Sequence, residues 1–268
     1  MSNRTVIRLA PANSAAQHVD RRLPRVDTAV TYGKLAVVDD PDGLAHAAAD
    51  RLCAWALETS GPVRIALSGG STPRRTYHEL ASPRLVGRFP WQRVHWFWGD
   101  ERFVSPDDPE SNYRMAREAM LARAPVPRKN IHPIPTVDIS PIDAAARYEA
   151  ELRRVYGGAR LTRLQPLFDV CLLGLGDDGH IASLLPGEPV LNEHTHWVAA
   201  VAHGRPEARI TLTYPAINAS KHIAFLVSGA TKRCILHEVL SGRSTVPAAR
   251  LQPGGELLFI ADRDAVGA

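Results

Sequence analysis

Short runs of apolar residues recur along the chain, and each ends in glycine, proline or polar residues. Such runs are too short for core helices and predict buried β-strands. The predicted strands cover residues 34–38, 63–67, 94–98, 168–173, 197–202, 209–213, 222–227 and 256–261. The run FDVCLL at 168–173 is apolar except for Asp169, which is typical of a strand buried on both faces of a parallel sheet.

The segments between these strands carry helical patterns. Leu44, Ala48, Leu52 and Trp55 form one apolar stripe behind a helix start at Asp40-Pro41. Further helices are predicted from 71 to about 80, from 111 or 112 to 122, from 141 to about 155, over 214–219 and from 228–232 to about 240, and an apolar helical pattern resumes over 181–185. Strands that alternate with helices imply right-handed βαβ crossovers, so the sequence predicts an α/β fold with a mainly parallel sheet.

The pattern also indicates how the chain is divided. Residues 32–268 contain no internal repeat and no linker, and they predict a single domain. Residues 1–31 show no sustained period, so we interpret them as an N-terminal extension that is disordered or loosely draped.

Composition and charge exclude several classes of protein. The chain has 268 residues, of which 45% are apolar and 22% charged, as in an ordinary globular protein. The net charge of +4 comes from scattered arginines, so no nucleic-acid partner is expected. Cys53, Cys171 and Cys234 lie in apolar runs and predict reduced core thiols of a cytoplasmic protein. No run approaches the ~18 apolar residues that a membrane span needs, so no membrane partner is expected either.

Three predicted strands end in glycine-rich polar turns. These turns are SGGSTP at 68–73, GDER at 99–102 and GLGDDGH at 174–180. Because the carboxyl ends of parallel strands meet at one edge of a sheet, and ligands bind in the crevice beyond that edge, the three turns predict one common site.

The SGGSTP turn is a candidate phosphate cradle. Small residues ahead of a helix expose backbone N–H groups, and the helix N-terminus adds partial positive charge. The turn lacks the GK[ST] ending of a Walker loop, which argues against nucleoside triphosphate hydrolysis. A plain strand-to-helix turn is the alternative.

Residues 174–179 formally match the G-x-G-x-x-G fingerprint of dinucleotide-binding proteins. Asp177 and Asp178 argue against that function, because they would place negative charge beside a pyrophosphate. The fingerprint also usually opens the fold, whereas here it lies past the middle of the chain.

His180 is the candidate base of this site. A histidine beside carboxylates at a helix N-terminus can act near pH 7 with its tautomer fixed by a neighbour. The alternatives are a structural histidine, with Asp178 as an ordinary helix N-cap. Lys232 lies in the first turn of a predicted helix, where a bound anion would offset its charge. The alternative for Lys232 and Arg209 is a surface charge, and the alternative for Arg102 is neutralisation of the two carboxylates before it. No spacing predicts a metal site.

Five motifs in the same order resemble one known family. They are LSGGSTP at 67–73, WGDERFVSPDDPESNY at 98–113, GLGDDGHIASLLPG at 174–187, RITLTYPAIN at 209–218 and LVSGATK at 226–232. Together they are similar to the 6-phosphogluconolactonases, which are related to the glucosamine-6-phosphate deaminases. The resemblance implies a Rossmann-like open sheet with helices on both faces, no cofactor, and a monomer or small homo-oligomer that takes a hexose phosphate lactone.

The resemblance also implies roles for individual residues. Ser68, Gly69, Gly70, Ser71 and Thr72 would surround the phosphate, with Arg209 and Lys232 supplying charge. His180 would be the catalytic base, Asp178 would support it, and Asp100 and Arg102 would line the sugar-facing part of the pocket. The implied reaction is hydrolysis of 6-phospho-D-glucono-1,5-lactone to 6-phospho-D-gluconate in the oxidative pentose phosphate pathway.

Two positions depart from the lactonase pattern, which usually has Thr at 181 and Phe at 185 where this chain has Ile181 and Leu185. Both residues are expected to be internal. The deaminase pattern has Glu five residues after the histidine, and that carboxylate works with the histidine in ring opening. Leu185 stands there in this chain, so the sequence favours a lactonase over a deaminase. A non-catalytic sugar-phosphate sensor is disfavoured because His180, Asp178 and Asp100 are all present.

Overall fold

A seven-stranded sheet runs through the computed structural model, which describes residues 26–27, 32–162 and 164–268. Its strands lie in the order β1-β2-β10-β9-β6-β3-β4. They are β1 Val26–Asp27, β2 Lys34–Val38, β3 Val63–Leu67, β4 Val94–Trp98, β6 Phe168–Leu173, β9 Ser220–Val227 and β10 Glu256–Asp262. Every neighbouring pair is parallel except β1–β2, which confirms the predicted α/β fold with a mainly parallel sheet. The predicted N-terminal extension lies outside the described residues apart from β1.

Seven α-helices accompany the strands in the described residues. They are α1 Pro41–Glu58, α2 Ser71–Leu80, α3 Asn112–Ala116, α4 Pro141–Tyr156, α5 Tyr214–Asn218, α6 Arg233–Leu240 and α7 Arg263–Val266. A π-helical turn at Arg117–Leu121 extends α3, and a 3-10 turn at Ala230–Lys232 precedes α6. Side-chain caps explain two of the helix starts: Asp40 accepts the N–H of Gly43 at 2.7 Å, and Ser140 accepts the N–H of Asp143 at 3.1 Å.

A second, three-stranded sheet was not predicted. Three strands, β5 Asp100–Arg102, β7 Val198–Val201 and β8 Arg209–Leu212, pair antiparallel in the order β5-β8-β7. The sequence suggested only a polar turn at GDER, because a three-residue strand has no apolar run to reveal it. The register sets Arg102 directly opposite Arg209, so this small sheet brings the GDER strand end next to the start of β8.

The central strand β6 is buried along its whole length, as its composition predicts. Its one charged residue, Asp169, is 7% exposed, and its carboxylate accepts the N–H of Arg64 at 2.7 Å. That bond compensates the cost of burying a polar group in the core. β6 is therefore a fully buried strand that ends at Leu173, directly before the GLGDDGH turn.

The crevice opens between β3 and β6. The chain leaves β3 toward β4 on one side and leaves β6 toward β9 on the other, which is the topological switch point where open α/β sheets bind ligands. β3 pairs with β6 only through Ile65 and Ala66, so the two strands separate before their carboxyl ends.

Two buried tyrosines close the strand ends beside this crevice. The hydroxyl of Tyr77 on α2 accepts the N–H of Ser68 at 2.9 Å and donates to the Ser68 carbonyl at 2.8 Å. The hydroxyl of Tyr148 on α4 makes the same pair of bonds with Trp98, at 2.8 and 3.0 Å. Burial raises the pKa of both phenols, so they stay neutral and can donate. Each hydroxyl replaces the strand partner that the backbone lacks at that point.

Candidate active site

A cleft of about 270 Å³ lies at the carboxyl ends of β3, β6 and β9 and is flanked by β5 and β8. All but one of the predicted site residues line it: Ser68, Gly69, Gly70, Ser71, Thr72, Asp100, Arg102, His180, Arg209 and Lys232. The exception, Asp178, contacts His180. The three turns that the sequence singled out therefore meet at one site.

Backbone geometry shapes the side of the cleft formed by the SGGSTP turn. Gly70, with φ of +101°, is the N-cap of α2, so the N–H groups of Ser71 and Thr72 in the first turn have no intrahelical acceptor. A Cβ atom on Gly69 would lie 2.0 Å from Oδ1 of Asn112, so only glycine fits there. The turn thus presents free N–H donors at the start of a helix, an arrangement that favours anions.

Three cationic side chains line the cleft, and two of them, Arg209 and Lys232, form with this turn what we call the cationic end of the cleft. Arg102 and Arg209 lie opposite each other on β5 and β8, and like charges in that position repel. Burial lowers the pKa of Arg209, and the nearby Asp100 carboxylate counteracts that effect. Lys232 lies in the 3-10 turn before α6, and its Nζ is 2.7 Å from Oδ1 of Asp177. A bound anion would offset the excess positive charge.

His180 and Asp178 form the opposite, histidine end of the cleft. Nδ1 of His180 lies 2.5 Å from Oδ1 of Asp178, which also accepts the backbone N–H of His180 at 3.1 Å. Burial alone would raise the pKa of Asp178, but hydrogen bonds from His180 and Arg205 hold that pKa below its usual value. An ionised Asp178 keeps the proton on Nδ1, so Nε2 presents its lone pair. Within the described part of the chain, Nε2 has no hydrogen-bond partner.

The predicted helical pattern over 181–185 is wrong. Ile181 and Leu184 form an isolated bridge, and Ala182 has φ of +47°, so these residues form consecutive turns. Their apolar side chains are buried because the turns pack into the core, and Pro186-Gly187 follows too soon for a helix to form. His180 is consequently not at a helix N-terminus, and Asp178 is not a helix cap. The expectation that Ile181 and Leu185 are internal is confirmed, at 0% and 5% exposure.

The glycines of the GLGDDGH turn hold the histidine in place. A Cβ atom on Gly176 would lie 2.0 Å from Nδ1 of His180, and the N–H of Gly176 donates to the His180 carbonyl at 2.9 Å. Gly179 has φ of +78°, and its N–H donates to the Gly176 carbonyl at 3.0 Å. These glycines therefore serve close packing around an imidazole.

Asp100 is fixed by two residues that the sequence did not reveal. Ser183 donates its hydroxyl to Oδ2 of Asp100 at 2.7 Å, and the amide of Asn112 donates to the Asp100 carbonyl at 2.9 Å. All three residues are buried. The contacts join residues 12 and 83 positions apart, so no local pattern could indicate them.

Glu101 ties β5 to the start of α3. Its carboxylate accepts the N–H groups of Asn112 and Tyr113, each at 2.7 Å, and that of Arg102 at 2.9 Å. Burial raises the pKa of Glu101 to about 7, although these backbone hydrogen bonds favour its charged form. Glu101 thus supports the cleft from behind, holding both Arg102 and Asn112.

The cysteines and the other metal-binding types of residue form no second site in the part of the chain that the structure describes. Among the described residues, no three His, Cys, Asp or Glu side chains are grouped to bind a metal ion, and no helix there is long and apolar enough to cross a membrane. Cys53 and Cys171 are buried free thiols, as predicted, whereas Cys234 is exposed on α6, contrary to the prediction of a core thiol. Its apolar neighbours Ile235 and Leu236 occupy the buried face of that helix.

Comparison with known proteins adds independent evidence. Residues 39–260 match the family described as glucosamine-6-phosphate isomerases/6-phosphogluconolactonase. The 6-phosphogluconolactonase of Nostoc sp. is 43% identical over 210 residues, covering 77% of this chain and 85% of the relative. That of Synechocystis sp. is 43% identical over 216 residues, covering 78% and 86%. The solved structure of 6-phosphogluconolactonase from Trypanosoma cruzi aligns with a TM-score of 0.76 at 27% identity, covering 87% of this chain and 95% of that one.

Proposed function

Because the chain belongs to the family of glucosamine-6-phosphate isomerases and 6-phosphogluconolactonases, we propose that it hydrolyses 6-phospho-D-glucono-1,5-lactone to 6-phospho-D-gluconate, a step of the oxidative pentose phosphate pathway. The observation that carries this proposal is the pairing of His180 with Asp178 at one end of a cleft whose other end is cationic. A base and an anion site separated within one cleft suit a substrate with a reactive carbonyl and a remote phosphate.

His180 acts as the general base in this proposal. Nε2 takes a proton from water while the water oxygen bonds to C1 of the lactone. The bond between C1 and the ring oxygen then breaks, and the proton returns from Nε2 to that oxygen, giving the open-chain acid. Asp178 holds the productive tautomer and stabilises the transient imidazolium. General-base catalysis of this kind contributes about 10²- to 10⁴-fold.

The phosphate is bound at the cationic end. The free N–H groups of Ser71 and Thr72 and the charges of Arg209 and Lys232 provide charge-assisted donors there. Holding the phosphate keeps the ring in register with His180, so binding energy at one end supports the reaction at the other.

Arg102 and a backbone N–H group near Gly176–Gly179 are the two candidates to stabilise the oxyanion that develops at C1. The N–H groups of Gly176 and Gly179 already donate within their own turn, so the backbone candidates are the N–H groups of Asp177 and Asp178. Arg102 lines the cleft and carries permanent charge.

The related deaminase reaction is disfavoured by the residue that follows His180 at the fifth position. Leu185 is 5% exposed and cannot move a proton. Glu188, the nearest substitute in the sequence, does not line the cleft and packs against Gly204. A non-catalytic sensor would have no need for the His180–Asp178 pair.

One assay tests the proposal directly. Lactone hydrolysis is followed against its spontaneous background, and ammonia release from glucosamine 6-phosphate is measured on the same preparation. We expect hydrolysis well above background and no detectable ammonia. Hydrolysis at the background rate from well-folded protein would refute the lactonase assignment, and ammonia release at a comparable rate would favour the deaminase.

We place the activity in the cytoplasm. The buried thiols Cys53 and Cys171 are free, as expected of a protein in a reducing compartment.

A further inference from the structure

The loop 202–208, between β7 and β8, reaches the histidine end of the cleft. Gly204 has φ of +82°, and a Cβ atom there would lie 2.9 Å from Oε1 of Glu188 and 3.0 Å from Cδ1 of Leu185. The loop therefore packs closely against the turns that follow His180. This contact carries the next residue, Arg205, to Asp178.

Arg205 and His180 bind different oxygens of the Asp178 carboxylate. Nη2 of Arg205 lies 3.1 Å from Oδ2 of Asp178, whereas Oδ1 accepts both hydrogen bonds from His180. The same Nη2 lies 3.5 Å from Nδ1 of His180. A carboxylate turns about its last side-chain bond with little preference, so a bond to Oδ2 fixes where Oδ1 points.

We propose that Arg205 is a positioning residue for the general base: it holds Asp178 in the orientation that receives Nδ1–H of His180 and offsets the carboxylate's charge. The inference rests on the proposed lactone hydrolysis for its catalytic meaning. A lone carboxylate raises the pKa of an adjacent imidazole, and a guanidinium at this distance counteracts that effect. The neutral imidazole is the form that can accept a proton, so removing this guanidinium is expected to change the pH dependence of turnover.

Other charged groups line the cleft or lie in the turns beside it, and they are unchanged by a substitution at 205. They are Asp177 in the same turn, Glu188 beside Gly204, Asp100 and Arg102 on β5, Arg209 on β8 and Lys232 before α6. Arg205 is the cation that contacts Asp178 directly, so its effect on His180 is separable from theirs.

The pH dependence of turnover tests the proposal. For Arg205→Ala, we expect the acidic limb of the kcat profile to move up by about 0.5 to 1 pH unit, and turnover on the plateau to fall roughly 3- to 10-fold. The His180 imidazole, titrated by NMR in the free protein, should shift in the same direction. Arg205→Lys should restore the wild-type pH dependence but not the full plateau turnover, because lysine keeps the charge and lacks the planar guanidinium group. Arg147→Ala, an exposed arginine on α4 outside the cleft, is the matched control.

Unchanged titration and turnover in Arg205→Ala would overturn the proposal and leave a simple surface ion pair. A second comparison uses the His180→Ala background, where Arg205→Ala should cause no further loss. If Arg205→Ala lowers turnover by the same factor in the His180→Ala background as in the wild-type protein, Arg205 acts on the substrate directly, and the proposal is also overturned. If the wild-type protein showed no lactonase activity, the proposed function would fail, while the NMR titration would still decide whether Arg205 tunes His180.

Discussion

Asp177 and Asp178 are adjacent in one turn, yet they contact opposite ends of the cleft. Asp177 pairs with Lys232 at the cationic end through a side chain that is 73% exposed. Asp178 pairs with His180 at the histidine end, is 42% exposed, and has both oxygens engaged. The first carboxylate is an exposed counter-ion of Lys232, which under the proposed function an incoming phosphate would displace, whereas the second is held by hydrogen bonds to both of its oxygens. Substrate affinity and turnover should therefore respond to different substitutions.

The largest effect is expected at the histidine end. His180→Ala should lower kcat by at least about a hundredfold while binding of the phosphorylated product survives, because only the base is lost. Steady-state kinetics and product binding by calorimetry measure the two quantities separately. His194→Ala, an exposed histidine outside the cleft, is the control. Equal losses of kcat and product affinity would show that the two ends do not act separately.

Lys232→Ala tests the other end. A charge-assisted hydrogen bond contributes about 1.5 to 3 kcal/mol, so product affinity should fall about 10- to 100-fold with a smaller change in kcat. Binding of phosphorylated and unphosphorylated gluconate is compared, with the exposed Lys221→Ala as the control. A wild-type ratio between the two ligands would place the phosphate elsewhere.

Gly69→Ala tests whether the cationic end depends on close backbone packing. The added methyl group would displace Asn112, which holds Asp100, so we expect the free energy of unfolding to fall by about 1 to 3 kcal/mol. Thermal unfolding measures the change. Gly87→Ala is the matched control, because a Cβ atom there meets nothing within 4 Å. Equal unfolding temperatures for the two variants would contradict the packing argument.

The smallest effect is expected from Asp177→Asn, and its sign is opposite. Exposed ion pairs contribute about 0 to 1 kcal/mol, so releasing Lys232 should tighten product binding by no more than roughly fivefold. Calorimetry at low and at physiological ionic strength measures it, since screening should shrink the gain. Weaker binding in Asp177→Asn would mean that Asp177 orients Lys232 for the phosphate and does not compete with it.

The sequence predicted the strands well because each is a short buried run, and a buried parallel strand needs little beyond apolar residues. The helix predicted over 181–185 was wrong, because the turns there bury apolar side chains as deeply as a helix would. β5 was missed because its pairing partner lies more than a hundred residues away, in β8. Of the site, the turns that follow predicted strands were found, since strand ends can be located from local pattern. Asn112, Ser183 and Arg205 were not found, since each acts through a contact that only the folded chain creates.

The tyrosine hydroxyls that bind Ser68 and Trp98 have a consequence for how such a site can change over time. The backbone of Trp98 at the end of β4 binds a hydroxyl that lies 50 residues away on α4, so it does not depend on the conformation of the GDER turn that follows. Tyr77 is only nine residues from Ser68, on the helix that the SGGSTP turn leads into, so that turn also sets where its hydroxyl lies. The loop after β4 can therefore be exchanged, lengthened or given other charges with little disturbance of strand register, whereas the turn after β3 has to keep its length. At this edge, the loop residues can therefore change in evolution while the sheet stays the same, so one fold can carry either a lactone-hydrolysing or an amino-sugar-processing site.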